Sequence, residues 1–287
     1  MPSLQHIRRR IASVKNTQKI TKAMKLVSAS KLRRAQERIL TARPYAKKMA
    51  EMLGALGART NREYHPLLQK RKVKRIEVMV MTSDRGLCGG FNTNILRRAM
   101  ESLREIKEKT PDLTVNVVGR KGRDFFKRRG FNIRKEWTGI SDRVQYEHAS
   151  QIGKELVESF LSGTFDELYM VYGEFRSAIQ TRIVTEKLFP IGDFQQEEIE
   201  NEGSFMYEPD EEEVLEILLP RHVEIQIFRG LLESAASEQG SRMMAMDSAT
   251  RNAKDVIYKL TLVYNKTRQA AITKELMDIV GGSEALK

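Results

Sequence analysis

Cysteine is almost missing from this chain of 287 residues, which contains only Cys88. A single cysteine excludes an internal disulfide and fits a reducing compartment. The histidines are also few, and no two of them stand at the spacing of metal ligands; they are His6, His65, His148 and His222. We therefore expect neither a disulfide framework nor a bound metal or other cofactor.

Long apolar runs are missing as well. No stretch of about 18 apolar residues occurs, so we expect no membrane-spanning helix. The first residues are basic and amphipathic, and they lack the apolar core of a signal peptide. Aromatic residues make up 7% of the chain, and residues 1–50 contain only Tyr45. That segment therefore offers little for the stacking of nucleic-acid bases.

Acidic residues are nearly absent from residues 1–50, where 14 lysines and arginines accompany one acid, Glu37. The segment carries a net charge of +13, whereas the whole chain carries +12. This asymmetry indicates an acidic partner, which could be nucleic acid, an anionic membrane surface or an acidic protein. The basic residues that we expect to face it are Arg8, Arg9, Arg10, Lys15 and Lys22.

Proline is absent from residues 3–43 and 223–287, and in both segments apolar residues recur every three or four positions. This heptad pattern is typical of a helix that lies along a partner helix. The second segment would be roughly 90 Å long. We expect the two helices to pair in an antiparallel coiled coil. The expected apolar positions of the second are Ile225, Phe228, Leu232, Ala235, Met246, Ala249, Ala253, Val256, Leu260, Val263, Ala270 and Met277.

Both helical patterns have polar interruptions. In the second helix the interruptions are Gln239, Arg242, Thr267 and Lys274. Polar residues at such positions either fix the register of a coiled coil or face a third body outside it. In the first helix the heptad positions that should face the partner helix are polar at Gln18, Thr21, Lys25 and Ser28. We expect the apolar face to shift there to Ile20, Met24 and Val27, as at a stutter.

Between the two helices the apolar period changes to two. We expect strands at 76–81, 115–118, near Ile133, 167–172 and 181–188, and helices at 93–109, 119–129 and 146–161. Strands that alternate with helices indicate a mainly parallel sheet, which leaves room for an antiparallel edge strand. We expect Gly54, Gly57 and the polar run 59–74 to end the first helix, and Pro220 to kink the start of the last.

The predicted fold class is thus α/β plus a long α-helical coiled coil. Its expected parts are an N-terminal coiled-coil helix (1–58), an α/β domain (75–190), an acidic linker (191–213) and a C-terminal coiled-coil helix (214–287).

The glycine-rich loop at 83–90 follows a strand and opens a helix, which is where phosphate loops lie. It lacks the Lys-Ser/Thr pair of a phosphate loop and the spacing of a dinucleotide fingerprint. A tight structural turn, or one that contacts a partner, is the favoured interpretation. The residues concerned are Asp84, Arg85, Gly89 and Gly90. No other residues form a recognisable catalytic constellation.

Six segments closely resemble the gamma subunits of F-type ATP synthases. They are 7–11 (IRRRI), 20–28 (ITKAMKLVS), 83–92 (SDRGLCGGFN), 241–246 (SRMMAM), 265–270 (NKTRQA) and 272–282 (ITKELMDIVGG). They span essentially the whole chain in the family's order. Gly282 stands where the family usually has alanine. The chain also lacks the cysteine-bearing regulatory insert of chloroplast gamma subunits, so it resembles the bacterial members.

The resemblance implies an antiparallel coiled coil of the terminal helices with a Rossmann-like domain between them. It implies a non-catalytic central shaft, which the membrane ring of c subunits turns and which drives the catalytic beta subunits. The implied partners are three alpha and three beta subunits, the epsilon subunit and the c-ring, at the cytoplasmic face of the cell membrane. The implied rotor–stator contacts are Met24, Arg242, Arg268, Gln269 and Thr273.

Two other functions compete with this one. The basic arm would suit a coiled-coil protein that binds nucleic acid, although Tyr45 is a poor stacking platform on its own. A nucleotide-dependent enzyme would suit the α/β domain, but it lacks candidate site residues.

Overall fold

The structure is a computed structural model that describes residues 3–59, 65–108, 110, 112–178, 180–192 and 210–285. The chain forms two compact units, one of Met1–Ser28 with Met243–Lys287 and one of Ala29–Arg242. The elements are α1 (Leu4–Arg59), β1 (Arg75–Met81), α2 (Phe91–Lys107), β2 (Asp112–Val118), α3 (Arg120–Arg128), β3 (Ile133–Trp137), α4 (Tyr146–Leu161), β4 (Glu167–Phe175), β5 (Thr181–Phe189) and α5 (Glu211–Ala285).

In the first unit, α1 and α5 pair in antiparallel fashion. Lys25 Nζ lies 2.6 Å from Asp247 Oδ1, and Thr250 Oγ1 donates a hydrogen bond of 2.8 Å to Thr21 Oγ1. From one contact to the next, the residue number decreases on α1 and increases on α5, so the two helices run in opposite directions. The predicted antiparallel pairing is confirmed.

The predicted shift of the apolar face of α1 is wrong. Thr21 and Ser28 are buried, whereas Ile20 is 60% and Val27 57% exposed. The heptad register therefore continues through its polar positions. It can do so because Thr21 Oγ1 is satisfied locally: it donates to the Gln18 carbonyl at 3.0 Å and accepts from Thr250.

Eight of the twelve predicted apolar seam positions of α5 are buried or half-buried, and the four exposed ones are Val256, Val263, Ala270 and Met277. Met246 and Ala253 are buried and Leu260 is half-buried, as expected. Val256 and Val263 are instead 41% and 48% exposed, and Ala270 is also exposed. At each of these three positions the next residue along the chain lies in the seam, the row of residues that faces the partner helix. These half-buried residues are Ile257, Tyr264 and Ala271.

The second unit contains a five-stranded sheet in the order β3-β2-β1-β4-β5. The first four strands are parallel and β5 is an antiparallel edge strand, which confirms the predicted sheet. α4 has the expected bounds. β3 extends to Trp137, whose carbonyl accepts a hydrogen bond of 2.7 Å from the Gly119 amide. The other strands are longer than predicted, by one to three residues.

Both faces of the sheet are covered. α2 packs on one face through an apolar cluster with β1 and β2 that includes Ile95, Val78 and Val117. On the other face α5 lies close, because Ser237 Oγ donates to the Gly173 carbonyl at 3.0 Å. Three phenylalanines with ring centroids 5.0–5.6 Å apart complete the core; they are Phe160, Phe165 and Phe189.

The described ends of the long helices lie within about three residues of the predicted bounds. α1 continues through Pro44 and Gly54 and ends at Arg59. α5 begins at Glu211 and includes Pro220. Most of the predicted acidic linker, residues 193–209, lies outside the described residues. No helix in the described part of the chain is both long and apolar enough to cross a membrane.

Candidate functional site

The 83–90 loop is closed by its own side chains. The Ser83 amide donates a hydrogen bond of 3.0 Å to Asn92 Oδ1, and Asn92 Nδ2 lies 2.8 Å from Ser83 Oγ and 3.1 Å from Cys88 Sγ. Ser83 Oγ also donates to the Arg85 carbonyl at 2.6 Å. Burial raises the pKa of the Cys88 thiol, although the Ser83 hydroxyl opposes that shift. The thiol is therefore not activated as a nucleophile.

Asp84 is held by hydrogen-bond donors from two other segments of the chain. Its carboxylate accepts hydrogen bonds from the Gly139 amide at 2.9 Å, Ser141 Oγ at 3.0 Å and the Arg120 amide at 3.2 Å. Burial alone would raise the pKa of Asp84, but these hydrogen bonds outweigh it and hold the pKa below its usual range. An internal carboxylate thus accepts a hydrogen bond from the first amide of α3, where an anion is favoured by the helix N-terminus.

Two glycines allow the loop and α3 to approach so closely. Gly119 has φ +93°, and a Cβ there would lie 2.2 Å from the Thr82 carbonyl oxygen. A Cβ at Gly122 would lie 2.7 Å from Val117. The glycines are therefore explained by packing. Gly89 has φ +57° and Gly90 stands at the N-cap of α2, so both also serve the turn.

Arg242 lies inside the second unit, and only 8% of the residue is exposed. Its Nη2 contacts Glu238 Oε1 at 2.7 Å and donates to the Gly86 carbonyl at 3.2 Å. Gln239 is also buried. Of the two interpretations of these polar positions, an outward-facing contact does not fit Gln239 or Arg242, because both are buried. The Arg242 side chain instead makes contacts within the unit.

Arg85 has the opposite placement, with 72% of its side chain exposed. Its Nη2 lies 3.3 Å from Asp142 Oδ2, and Lys31 Nζ lies 3.0 Å from the other oxygen of the same carboxylate. The structure thus brings together Asp84, Arg85 and Arg242, three of the predicted site residues, around one loop.

The remaining predicted contact residues lie in the first unit. Arg268, Gln269 and Thr273 share one exposed stretch of α5, where Thr273 Oγ1 donates to the Gln269 carbonyl at 2.9 Å. Met24 lies on α1 and is half-buried. The basic residues Arg8, Arg9, Arg10, Lys15 and Lys22 are all exposed on α1. Their roles as partner contacts stay predictions.

Sequence reasoning missed a set of exposed apolar side chains on the two helices. On α1 they include Ile20, Leu26 and Val27, all more than half exposed. On α5 every residue from 272 to 283 is exposed. The large apolar ones in that stretch are Ile272, Leu276, Met277, Ile279 and Val280. The heptad pattern predicted that some of these residues face the partner helix, so it did not indicate that they point outward.

The described residues hold no group of three or more His, Cys, Asp or Glu side chains that could bind a metal ion. What the arrangement offers is contact surface: an exposed apolar helix end, an exposed basic helix and a tightly closed loop beside α5.

Comparison with known proteins agrees with this arrangement. The family model described as ATP synthase matches residues 3–286. The chain is 51% identical to the ATP synthase gamma chain of Anaeromyxobacter sp. (strain Fw109-5) and 48% identical to that of Geobacter metallireducens, in both cases over 100% of each chain. The chain belongs to the ATP synthase gamma-chain family.

Solved structures give the same picture of the fold. The central stalk and c-ring structure of Tetrahymena thermophila mitochondrial ATP synthase matches with a TM-score of 0.61 and 27% identity, covering 80% of this chain and 99% of that one. The rotor of Euglena gracilis mitochondrial ATP synthase matches with a TM-score of 0.67 and 21% identity, covering 94% and 98%. None of these comparisons supports the nucleic-acid hypothesis.

Proposed function

We propose that the chain is the central rotor shaft of a bacterial F-type ATP synthase. It couples ion-driven rotation of the membrane c-ring to conformational changes in the catalytic beta subunits, and it is itself non-catalytic. The partners would be three alpha and three beta subunits, the epsilon subunit and the c-ring. The complex would hold the chain at the periphery of the cell membrane, on its cytoplasmic face.

The observation that carries the proposal is the exposed apolar stretch 272–283 of α5. Leu276, Met277, Ile279 and Val280 are between 54% and 68% exposed. Apolar residues that follow one another in this way on a helix mark a surface that a partner covers. A sleeve of alpha and beta subunits around a turning helix end would supply that cover without binding one side chain permanently.

The charge of α1 supports the same assembly. Arg8, Arg9, Arg10, Lys15 and Lys22 are exposed, and they extend over about four helical turns. Acidic surfaces of the surrounding subunits would meet them. Because such contacts are largely electrostatic, they weaken with salt and favour orientation over tight binding.

A shaft can change nucleotide affinity only through contacts that differ between the conformations of the surrounding subunits. Arg268, Gln269 and Thr273 are exposed on one stretch of α5 and can make such contacts with one beta subunit at a time. Arg242 is committed to the 83–90 loop, so its part in this function is indirect.

The proposal can be tested with the apolar stretch itself. Leu276→Glu combined with Val280→Glu replaces two of its apolar side chains with charges, while Lys274→Glu changes charge at a polar position of the same stretch and serves as the control. Lys274 itself lies within the stretch 272–283, so this control changes charge there without replacing an apolar side chain. Each variant is mixed with the alpha and beta subunits of the same synthase. We expect the double variant to fail in forming a rotating complex, and the control to assemble and rotate as the natural chain does. Normal rotation of the double variant would overturn the proposal.

A further inference from the structure

A buried ion pair joins α5 to the 83–90 loop. Glu238 and Arg242 are 3% and 8% exposed and lie one helical turn apart. Arg242 Nη2 contacts Glu238 Oε1 at 2.7 Å, and the same nitrogen donates to the Gly86 carbonyl at 3.2 Å and approaches the Arg85 carbonyl at 3.5 Å. One guanidinium nitrogen therefore connects a carboxylate on the helix with the backbone of the loop.

The connection extends beyond the pair. Arg85 contacts Asp142, which follows β3, and Asp142 contacts Lys31 on α1. The charged and titratable groups that face Glu238, directly or through Asp142, come from several elements. They are Arg242 on α5, Asp84, Arg85 and Cys88 in the loop, Asp142 before α4 and, through Asp142, Lys31 on α1.

Stability does not account for this pair. Burial raises the pKa of Glu238 to about 7, although the neighbouring Arg242 acts in the opposite direction. Because the folded pKa is raised, Glu238 contributes most to stability below its ordinary pKa, and this contribution is lost as the pH rises to about 7. The charged pair is therefore formed at a cost to the fold, which points to a use other than stability.

A cavity with room for about one water molecule borders Glu238, and three of the lining side chains carry hydroxyl groups. These are Thr82, Ser141 and Ser234. A water there could carry a proton to the carboxylate.

We propose that Glu238 and Arg242 form a pH-sensitive latch, which fastens α5 to the 83–90 loop while Glu238 is charged and releases the loop when Glu238 is protonated. Arg242 is the positioning residue in this latch. With Glu238 neutral, the guanidinium has no carboxylate partner on α5, and it moves toward water or Asp142 and leaves the Gly86 carbonyl. The loop stays anchored through Asp84 and Asn92, so the release is confined to residues 85–88.

The latch rests on the proposed function for its purpose but not for its existence. In a rotor shaft, a closed latch makes the α/β unit and its part of α5 turn as one body. An open latch allows the α/β unit and this part of α5 to move relative to each other. We therefore expect coupling to weaken as the pH falls below about 7.

The existence of the latch is tested on the full chain alone. Glu238→Gln mimics the protonated carboxyl, and Glu224→Gln is the control, because Glu224 is a buried glutamate on the same helix that binds Tyr146 and Ser150 instead of the loop. Hydrogen–deuterium exchange is followed about one pH unit above and below 7, as protection relative to the unfolded chain.

We expect residues 85–88 of the natural chain to lose roughly tenfold in protection at the lower pH, as loss of one charge-assisted hydrogen bond implies. Glu238→Gln should show the low value at both pH values, and Glu224→Gln should follow the natural chain. The amides of β1 should not change in any of them. Equal protection of 85–88 in the natural chain and Glu238→Gln at the higher pH overturns the latch.

A second measurement addresses its purpose. In the assembled synthase, the ratio of ion transport to ATP hydrolysis is measured across the same pH range. Glu238→Gln should remain at the low-pH ratio throughout. Arg242→Lys, which keeps the charge, should give a ratio between those of the natural chain and Glu238→Gln. If the chain does not enter a synthase at all, the proposed function fails while the exchange result still decides the latch. If the exchange changes but the coupling ratio does not, the torque role is overturned.

Discussion

Lys25 and Asp247 pair across the two helices at the point where the α1 seam is polar. Their Nζ and Oδ1 atoms lie 2.6 Å apart, and Arg251 approaches the other carboxylate oxygen of Asp247 at 3.2 Å. The hydrogen bond from Lys25 and the charges of Lys25 and Arg251 hold the pKa of Asp247 below its usual range. A charge pair here specifies which turns of α1 and α5 meet, a register role for which polar seam residues are known.

Charge exchange at this pair tests the register role. Lys25→Asp should lower the melting temperature of the chain, because it places two carboxylates together. Combining it with Asp247→Lys should restore most of the loss. Thermal unfolding followed by circular dichroism gives the values for a double-mutant cycle. Strictly additive effects of the two substitutions would contradict direct pairing.

Gly119 should tolerate no side chain. Gly119→Ala forces a Cβ against the Thr82 carbonyl and keeps a positive φ, so we expect a loss of about 3 kcal/mol in the free energy of unfolding. Gly163→Ala is the matched control, because Gly163 also has a positive φ but open space around it. Its cost should be about 1 kcal/mol. Equal costs in denaturant titrations would show that backbone strain alone matters.

Asp84 should make the stability of the α/β unit depend on acid. Asp84→Asn removes the charge that the Gly139, Ser141 and Arg120 donors stabilise, and we expect a loss of about 2 kcal/mol at neutral pH. Because the folded pKa is lowered, the advantage of the natural chain is complete above the ordinary carboxyl range. It should shrink as the pH falls through the lowered value.

Denaturant titrations between neutral and acidic pH measure this difference. Asp112→Asn, at an exposed aspartate, serves as the control and should show no such trend. A difference between natural chain and Asp84→Asn that stays constant into acid would contradict the assignment.

The exposed apolar residues of α1 should matter for assembly and not for folding. Ile20→Gln with Val27→Gln should leave the melting temperature nearly unchanged, since both side chains already contact water. The same variant should weaken co-purification with alpha and beta subunits. Thr21→Gln, at the neighbouring buried position, should do the reverse and destabilise the chain itself.

Arg268 and Gln269 should act in turnover. Arg268→Ala with Gln269→Leu removes polar groups that we expect to bind an acidic loop of a beta subunit in one rotary state. An arginine–carboxylate contact at a desolvated interface is worth on the order of 1–3 kcal/mol. The variant should therefore assemble, yet show lower ATP synthesis and hydrolysis. Unchanged turnover and torque in single-molecule rotation would mean that these side chains remain in water.

Much of the fold could be predicted because strong periodicity leaves little choice. The bounds of α4 and the order of strands and helices follow from apolar spacing and glycine turns. The heptad pattern alone predicted two paired helices. The fold class needed no knowledge of which residues touch.

The helix seams could not be predicted to the residue. Val256 and Ile257 are adjacent and both apolar, as are Val263 and Tyr264, so the sequence offers two stripes on α5. The position of the partner helix chooses between them. The same limit hid Ile20, because hydrophobicity made it a better seam residue than Thr21, while close helix packing favours the smaller threonine.

The candidate site could be predicted from the sequence only in part. The 83–90 loop was singled out by its glycines, but the inward direction of Arg242 depends on a glutamate one turn earlier and on the Gly86 carbonyl. Neither contact leaves a spacing signal that distinguishes it from an ordinary helix-surface ion pair.

Trp137 provides an intrinsic fluorescence signal that needs no added label. It is the single tryptophan of the chain and ends β3, in the second unit, where its carbonyl binds the Gly119 amide. Selectively excited emission therefore reports on that sheet edge alone, whereas the ellipticity of the helices comes from both units. A difference between the two signals during unfolding would separate melting of the α/β unit from separation of the paired helices.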